Sequence, residues 1–428
     1  MKFLGDKIKP YLKIIIIFWI INSLFLAFAF VNRHYIQKKN NEEGKGEMLG
    51  SAIIDSSLIE TKPGKIRKKA VGVQLKETKK ISTGRSPKSI LFDKSHTFVY
   101  SLNLEGMSVT EFNRATKTVT RTLKFFPNQA KGYNYEKNTW YNSIAEKPVE
   151  GCISHDGKYL WISLHNAGGV VAWNLFGEDN IGNMPGKDAA IIYADGSKKA
   201  IKLPFFETGK TPKSILNGRN SNEVYVTNWH DNSLTVLNTS SLDPQEWEKK
   251  VDLTTGAVPR GIALNHEKDR LFVSNMGSGN INIFDTENLE LEETFAIGST
   301  PRHLITSRDF LYASLSSPEK LLKVDLQTLE TIQTSSTDDD PRTITFSNDS
   351  SIIFVTCYAG QVLQAFSSED LSLLGSWESK GKPVGVDIFQ EGNKLEAWVC
   401  NYTASTINVF SFEVEYELIP DKKEVAFQ

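Results

Sequence analysis

A seven-fold recurrence of a Pro-centred signature before an apolar run, short alternating strands in units of about 42 residues, and the lack of any long helical period predict an all-β chain. The expected architecture is a seven-bladed β-propeller preceded by an N-terminal transmembrane helix and a flexible stalk. The signature, Gly-x-x-Pro in its full form, reads GRSPKSI at 84–90, GKTPKSI at 209–215, GAVPRGI at 256–262 and GSTPRHL at 298–304, with weaker copies EKPVEGC at 146–152, DDDPRTI at 338–344 and GKPVGV at 381–386. Its prolines (Pro87, Pro148, Pro212, Pro259, Pro301, Pro341 and Pro383) lie 61, 64, 47, 42, 40 and 42 residues apart, so the first two intervals carry insertions of roughly twenty residues each.

Each unit continues in the same way. A polar turn such as SHDGKY at 154–159 or SNDSS at 347–351 supplies Asp, Asn and Gly for the reversal. A second strand follows (VYVTN at 224–228, LFVSN at 271–275, AWVCN at 397–401), then an alternating third (SLTVLN at 233–238, NINIFD at 280–285) and a fourth (LEETFAIG at 291–298). One four-stranded sheet cannot cover both of its faces. Seven around an axis cover one another, and closing the ring removes the terminal edges. Closure calls for a strand from the chain start. Residues 75–82 (LKETKKIS) are expected to complete the last blade, with 413–419 (EVEYELI) a competitor for the same edge. The domains expected are an anchor or signal segment at 1–32, a linker at 33–72, the propeller at 73–419 and a tail at 420–428.

Residues 14–31, IIIIFWIINSLFLAFAFV, are 18 residues without a charge, about 27 Å of helix at ~1.5 Å per residue and just long enough to cross a hydrocarbon core. Four lysines precede the run and three basic residues follow, a small bias toward a cytoplasmic N-terminus. Ala27-Phe28-Ala29 offers a signal-peptide cleavage site as the competing reading, but the run continues through Phe30 and Val31, so an uncleaved anchor is preferred. Either reading places the remainder outside the cytoplasm, in the periplasm or at the cell surface. Residues 33–72 are rich in Lys, Glu, Gly and Ser and read as a stalk, whose basic stretch (Lys65, Arg67, Lys68, Lys69) is taken as solvated rather than lipid-bound.

A net charge of −2, from 49 basic and 51 acidic residues, argues against a surface that grips nucleic acid as a whole while permitting a local basic patch. Cys152, Cys357 and Cys400 match no zinc or redox spacing and are read as buried thiols. A Cys357–Cys400 disulfide is the sharper alternative, disfavoured by the lateral distance between blades.

The literal VYVTN at 224–228, with Gly-x-x-Pro-[Lys/Arg] about a dozen residues upstream, resembles the YVTN-repeat β-propellers. These are bacterial and archaeal surface or periplasmic proteins related in fold to lactonase-like propellers. The resemblance covers about residues 75–419 and implies the fold; the family has no single chemistry to carry over. Blades two and seven depart from the pattern, with Val149 and Val384 in place of the basic residue.

In that arrangement the loop before the first strand and the loop after the second share a face, and the first strand lines the channel. Lys88, Lys213, Arg260, Arg302 and Arg342 are therefore expected around one channel mouth, where they would focus positive potential. The competing expectation is that Glu150, Asp338, Asp339 or Asp340 neutralises them, or that they cap turn carbonyls. The first insertion, 127–147, brings Tyr133, Tyr135, Trp140 and Tyr141 to the same face, as a lid or tucked against the rim. Second-strand loops add Trp229, His230, His165, Asn166, Tyr358 and Tyr402. The second insertion, about 176–199, is assigned to the opposite face as extra edge strands or a partner contact, with a hairpin turning at Asp195-Gly196.

The chain has seven histidines but no HExxH, CxxC, GxSxG or phosphate-cradling glycine loop, so no metal and no cofactor is expected. His303, on a channel-lining strand beside Arg302, is the histidine best placed to face a ligand. Three functions remain: a binding or assembly module for an anionic, glycan or peptide ligand or a protein partner; a lactonase-like hydrolase using Arg302 and His303 with Glu136 or Glu146; and single-stranded nucleic-acid binding, placed last by the extracytoplasmic address.

Overall fold

A computed structural model describes residues 66–134, 139–265 and 267–420. Seven antiparallel blades of four strands follow one another, their first strands being Pro87–Phe92, Pro148–Ser154, Pro212–Asn217, Pro259–Asn265, Pro301–Thr306, Pro341–Phe346 and Pro383–Glu391. Blade four shows the unit in its simplest form, with Pro259–Asn265, Arg270–Asn275, Asn280–Asp285 and Leu291–Ala296 in sequence order across the sheet.

The apolar residues form seven clusters, one in each seam between neighbouring blades. Tyr225, Val236 and Leu271 fill the seam of blades three and four; Phe92, Val99, Trp398 and Val409 fill that of blades seven and one. The second strands are buried on both faces, as in Ile352–Cys357, which explains their unbroken apolar runs.

The recurring motifs are seam and turn devices. In six blades the residue before the signature proline has a positive φ, including Val258 at 58° and Thr211 at 59°. Left-handed backbone at a β-branched residue costs on the order of 1–3 kcal/mol. It is held because the residue's carbonyl accepts the N–H of the residue leaving the second strand. This bond occurs in all seven blades, from Leu104, His165, Trp229, Met276, Ser316, Tyr358 and Tyr402. The motif glycine lies flat on the Asn that ends the second strand; a Cβ on Gly256 would sit 2.8 Å from the Asn275 side chain. The hydroxyl one residue earlier reaches the next blade. Ser163 donates to the Lys213 carbonyl (2.7 Å), Thr227 to that of Arg260 (3.4 Å), Ser314 to that of Arg342 (2.9 Å) and Thr356 to that of Val384 (2.7 Å). In blade seven Cys400 takes this place, its thiol 3.5 Å from the Ser89 carbonyl. The three cysteines are free thiols, with Cys357 and Cys400 pushed up to about 12 by burial.

Ring closure differs from expectation in two respects. The closing strand is Ile66–Ser82, seven residues longer at its start than the propeller boundary at 73 allowed, so 66–72 belong to the sheet and not to the stalk. The 413–419 segment does not compete with it. It continues the third strand of blade seven, Thr406–Pro420, and pairs with Ile66–Ser82 from Ile66↔Pro420 to Ser82↔Thr406. The outer part of this ribbon packs Ala70 and Val414 into the seam of blades six and seven, and Lys69 meets Asp370 at 2.7 Å. At the closing seam the Asp387 carboxylate of blade seven accepts the Phe92 N–H of blade one (2.9 Å), and burial raises its pKa to about 6.

The second insertion supplies an extra strand, Gly186–Tyr193, hydrogen-bonded both to Thr118–Phe125, the outer strand of blade one, and to Lys198–Glu207. It thereby sews blades one and two into a single nine-stranded sheet. Its hairpin turns at Asp195-Gly196, as expected, between Gly186–Tyr193 and Lys198–Glu207. Among the described residues no helix is long and apolar enough to cross a membrane. The 14–31 segment and the 421–428 end lie outside the described residues.

Candidate functional site: a basic channel mouth

The first strands surround a channel cavity of about 420 Å³, lined among others by Lys88, Glu150, Ser214, His303, Thr343 and Phe346. The residue after each signature proline forms a tier of Lys88, Val149, Lys213, Arg260, Arg302, Arg342 and Val384. The five cations do converge: the charges of Arg342, Arg260, Arg302 and Lys213 all fall on Lys88. Seam hydroxyls hold the backbone of this tier at Lys213, Arg260 and Arg342.

Two of them are neutralised. Arg260, 5% exposed, forms a 2.6 Å pair with Glu150, whose other oxygen accepts the Ser214 hydroxyl at 2.7 Å. Burial by itself would raise the Glu150 carboxyl; Arg260, His303 and the Ser214 hydroxyl together outweigh it and hold the pKa at about 2. Arg342 pairs with Asp340 at 2.7 Å and stacks on Tyr358, 3.6 Å from the ring centre. Asp338 and Asp339 pair with none of the five. Lys213 donates to His165 Nδ1 at 3.0 Å and lies 4.2 Å from the Trp229 ring centre. Burial and the neighbouring Lys213 push His165 well below the usual histidine range, leaving it a neutral acceptor.

Lys88 and Arg302 have no carboxylate partner among the described residues. Lys88 lies 5.6 Å from the Tyr402 ring centre, and burial, reinforced by the four cations, lowers its pKa strongly. Burial, then Arg342 and Arg260, lower Arg302 to about 9. His303 lines the cavity as expected. Its Nδ1 is buried without a hydrogen-bond partner, and burial lowers it to about 4, so the ring is neutral at pH 7.

The first insertion folds as a hairpin, Gln129–Asn134 against Thr139–Ile144, which Asn166 anchors through the Ile144 carbonyl (2.8 Å). Tyr133 and Trp140 gather around His230 at ring separations of 5.5 and 6.2 Å. These aromatics thus meet the rim of blade three at His230, while Trp140 and Tyr141 remain exposed. Trp229 and Tyr358 likewise present their faces to cations rather than leaving them for stacking. Tyr135 and Glu136 lie outside the described residues. Glu146, the other acid offered as a catalytic lid residue, is instead a wall residue: wholly buried, bonded to both nitrogens of Asn128 and to Lys187. The acid at the site is Glu150, two positions after a signature proline, where the sequence marked it only as a possible neutraliser. Among the described residues no cluster of His, Cys, Asp and Glu could hold a metal.

Seven seams, a closing strand and a tier of channel-facing cations define the chain as a seven-bladed β-propeller. Residues 202–297, which span blades three and four with Lys213 and Arg260, match the family model described as Lactonase, 7-bladed beta-propeller, and this supports a seven-bladed propeller family. The WD40 beta propeller domain of Doa1 is similar in fold at 13% identity, with a TM-score of 0.56 over 79% of this chain and 97% of that one. The Myceliophteria thermophila Cps50 (Swd1) beta-propeller domain is similar at 14% identity, with a TM-score of 0.55 over 78% and 99%. No curated protein matches the chain in sequence.

Proposed function

We propose that the chain is a binding module, tethered through residues 14–31 with its propeller outside the cytoplasm, and that the basic channel mouth takes an anionic ligand such as a carboxylate, phosphate ester, acidic glycan or acidic peptide. The observation that carries the reading is the charge imbalance: among the described residues, the five cations of one tier are paired only with Glu150 and Asp340. An anion in the channel relieves repulsion that the fold otherwise sustains. Titration calorimetry of the full chain in detergent with citrate, glucose 6-phosphate and oligogalacturonate is the test. At least one should bind at low salt and weaken on going to about 0.5 M salt, where screening shortens electrostatic reach. No binding by any of them overturns the reading.

A second reading is a lactonase-like hydrolase. It is favoured by the neutral His303 and ionised Glu150 lining one cavity and by the name of the family model. Turnover across a lactone panel that disappears in His303→Ala would establish it, and no turnover removes it. Binding of a single nucleic-acid strand finds less support, because Trp229 and Tyr358 already carry cations on their faces. For the tether, the full chain should stay in the membrane fraction after carbonate washing, and removal of residues 1–32 should release it. Release of the full chain by the wash would refute the anchor.

A further inference from the structure

Of the five cations, Lys88 alone combines three properties. It lines the 420 Å³ cavity, its ammonium makes no hydrogen bond or ion pair among the described residues, and four other cations act on it. Lys213 shares the charged surroundings but is engaged with His165 and Trp229 and feels the opposing charge of Glu150. The remaining cations are guanidinium groups, which stay charged at neutral pH even at Arg302, where burial lowers the value to about 9.

We propose that Lys88 is a nucleophilic amine that condenses with the carbonyl of an oxo-anion, the carboxylate or phosphate of that anion resting on the Arg302 guanidinium. The inference deepens the anion-binding reading and rests on it. A lysine beside other cations, out of bulk water, holds an unprotonated fraction at neutral pH that a surface lysine lacks. Burial and the charges of Arg342, Arg260, Arg302 and Lys213 all work in that direction at Lys88. Glu150 does not restore the proton, because its charge is taken up by Arg260 and Ser214.

The chemistry needs no further reagent. The Lys88 Nζ lone pair attacks the carbonyl carbon, forming the C–N bond while the C=O π pair moves to oxygen. That oxygen takes up a proton as the nitrogen gives one up, leaving a carbinolamine. The nitrogen lone pair then expels the hydroxyl, which takes the nitrogen's remaining proton and departs as water, and a C=N bond joins Lys88 to the ligand. The ligand class is an anion with an aldehyde or ketone a few atoms from its charged group. Arg302 supplies the orientation, since its fork suits a carboxylate or phosphate.

Pyridoxal 5′-phosphate, an anionic aldehyde small enough for the cavity, is the probe. The full chain is incubated with it at pH 7 and reduced with borohydride, and the labelled lysines are mapped by peptide mass spectrometry. Lys88 should be labelled at least about tenfold faster than exposed lysines such as Lys198 and Lys394. Arg302→Gln should slow labelling at Lys88 about tenfold and leave the exposed sites unchanged. Labelling of Lys88 at the rate of the exposed lysines, or preferential labelling of Lys213, overturns the assignment. In parallel, 4-deoxypyridoxine 5′-phosphate, which has the phosphate but no aldehyde, is titrated into the wild type and into Lys88→Arg. If it binds both while Lys88 stays unlabelled in the wild type, the amine inference fails alone and the anion site stands. If it binds neither and Lys88 is labelled no faster than the surface, both fail.

Discussion

Glu150→Gln is expected to lower stability by about 3 kcal/mol at pH 7 and at the same time to tighten anion binding several-fold. The stability loss follows from linkage. The Glu150 carboxyl sits at about 2 in the folded chain, below the ordinary value of 4.5, so the folded state favours its charged form. A depressed acid pKa contributes stability that is complete above about pH 4.5 and lost as pH falls toward 2. Wild type and variant should therefore differ most at neutral pH and converge near pH 2 in denaturant titrations. The variant also leaves Arg260 buried without its 2.6 Å partner, a kind of change that costs about 3–5 kcal/mol in other proteins. Binding moves the other way because the amide removes one of the two negative charges that pair with the ring among the described residues. If Glu150 is instead part of a hydrolytic pair, the variant would lose turnover without gaining affinity. A variant as stable as the wild type at pH 7 would show that the carboxylate is not held as described.

Arg302→Gln should show the opposite combination. Anion affinity should fall by about 10- to 100-fold, the loss of one charge-assisted, forked contact. Stability at low salt should rise by about 1–3 kcal/mol. Arg302 is lowered to about 9 in the folded chain by burial and by the neighbouring charges of Arg342 and Arg260. A base whose folded pKa is depressed opposes folding at every pH below that value, so removing its charge relieves the opposition across the neutral range. The gain should shrink as salt screens the repulsion. Thermal melts at about 20 mM and 500 mM salt, alongside calorimetry, give both quantities. A destabilised variant with unchanged affinity would make Arg302 a structural residue. The pair of substitutions therefore separates a site that stores repulsion for a ligand from one that is merely a satisfied polar core.

The sequence by itself determined the number and order of blades. The unit is short, and its signals are local: a proline that opens the first strand, a glycine that lies on the Asn ending the second, a hydroxyl one place before that Asn. Each works within a blade or reaches the next one, so its spacing is printed in the chain. It also placed the five cations on one tier, because a residue one step after the signature proline has the same address in every blade. Only the tertiary structure decided which of those cations are free. Arg260 meets Glu150 from two blades earlier, and Arg342 meets Asp340 two residues away while Asp338 and Asp339 go elsewhere. Pairing across a ring depends on distances between side chains far apart in sequence, which no repeat pattern encodes. The fate of the long insertions was decided in the same way. Tyr133 and Trp140 settle on His230 of blade three, and Gly186–Tyr193 bridges blades one and two. An inserted loop has no copy elsewhere in the chain to give its position, and it comes to rest wherever apolar surface or an open strand edge is within reach.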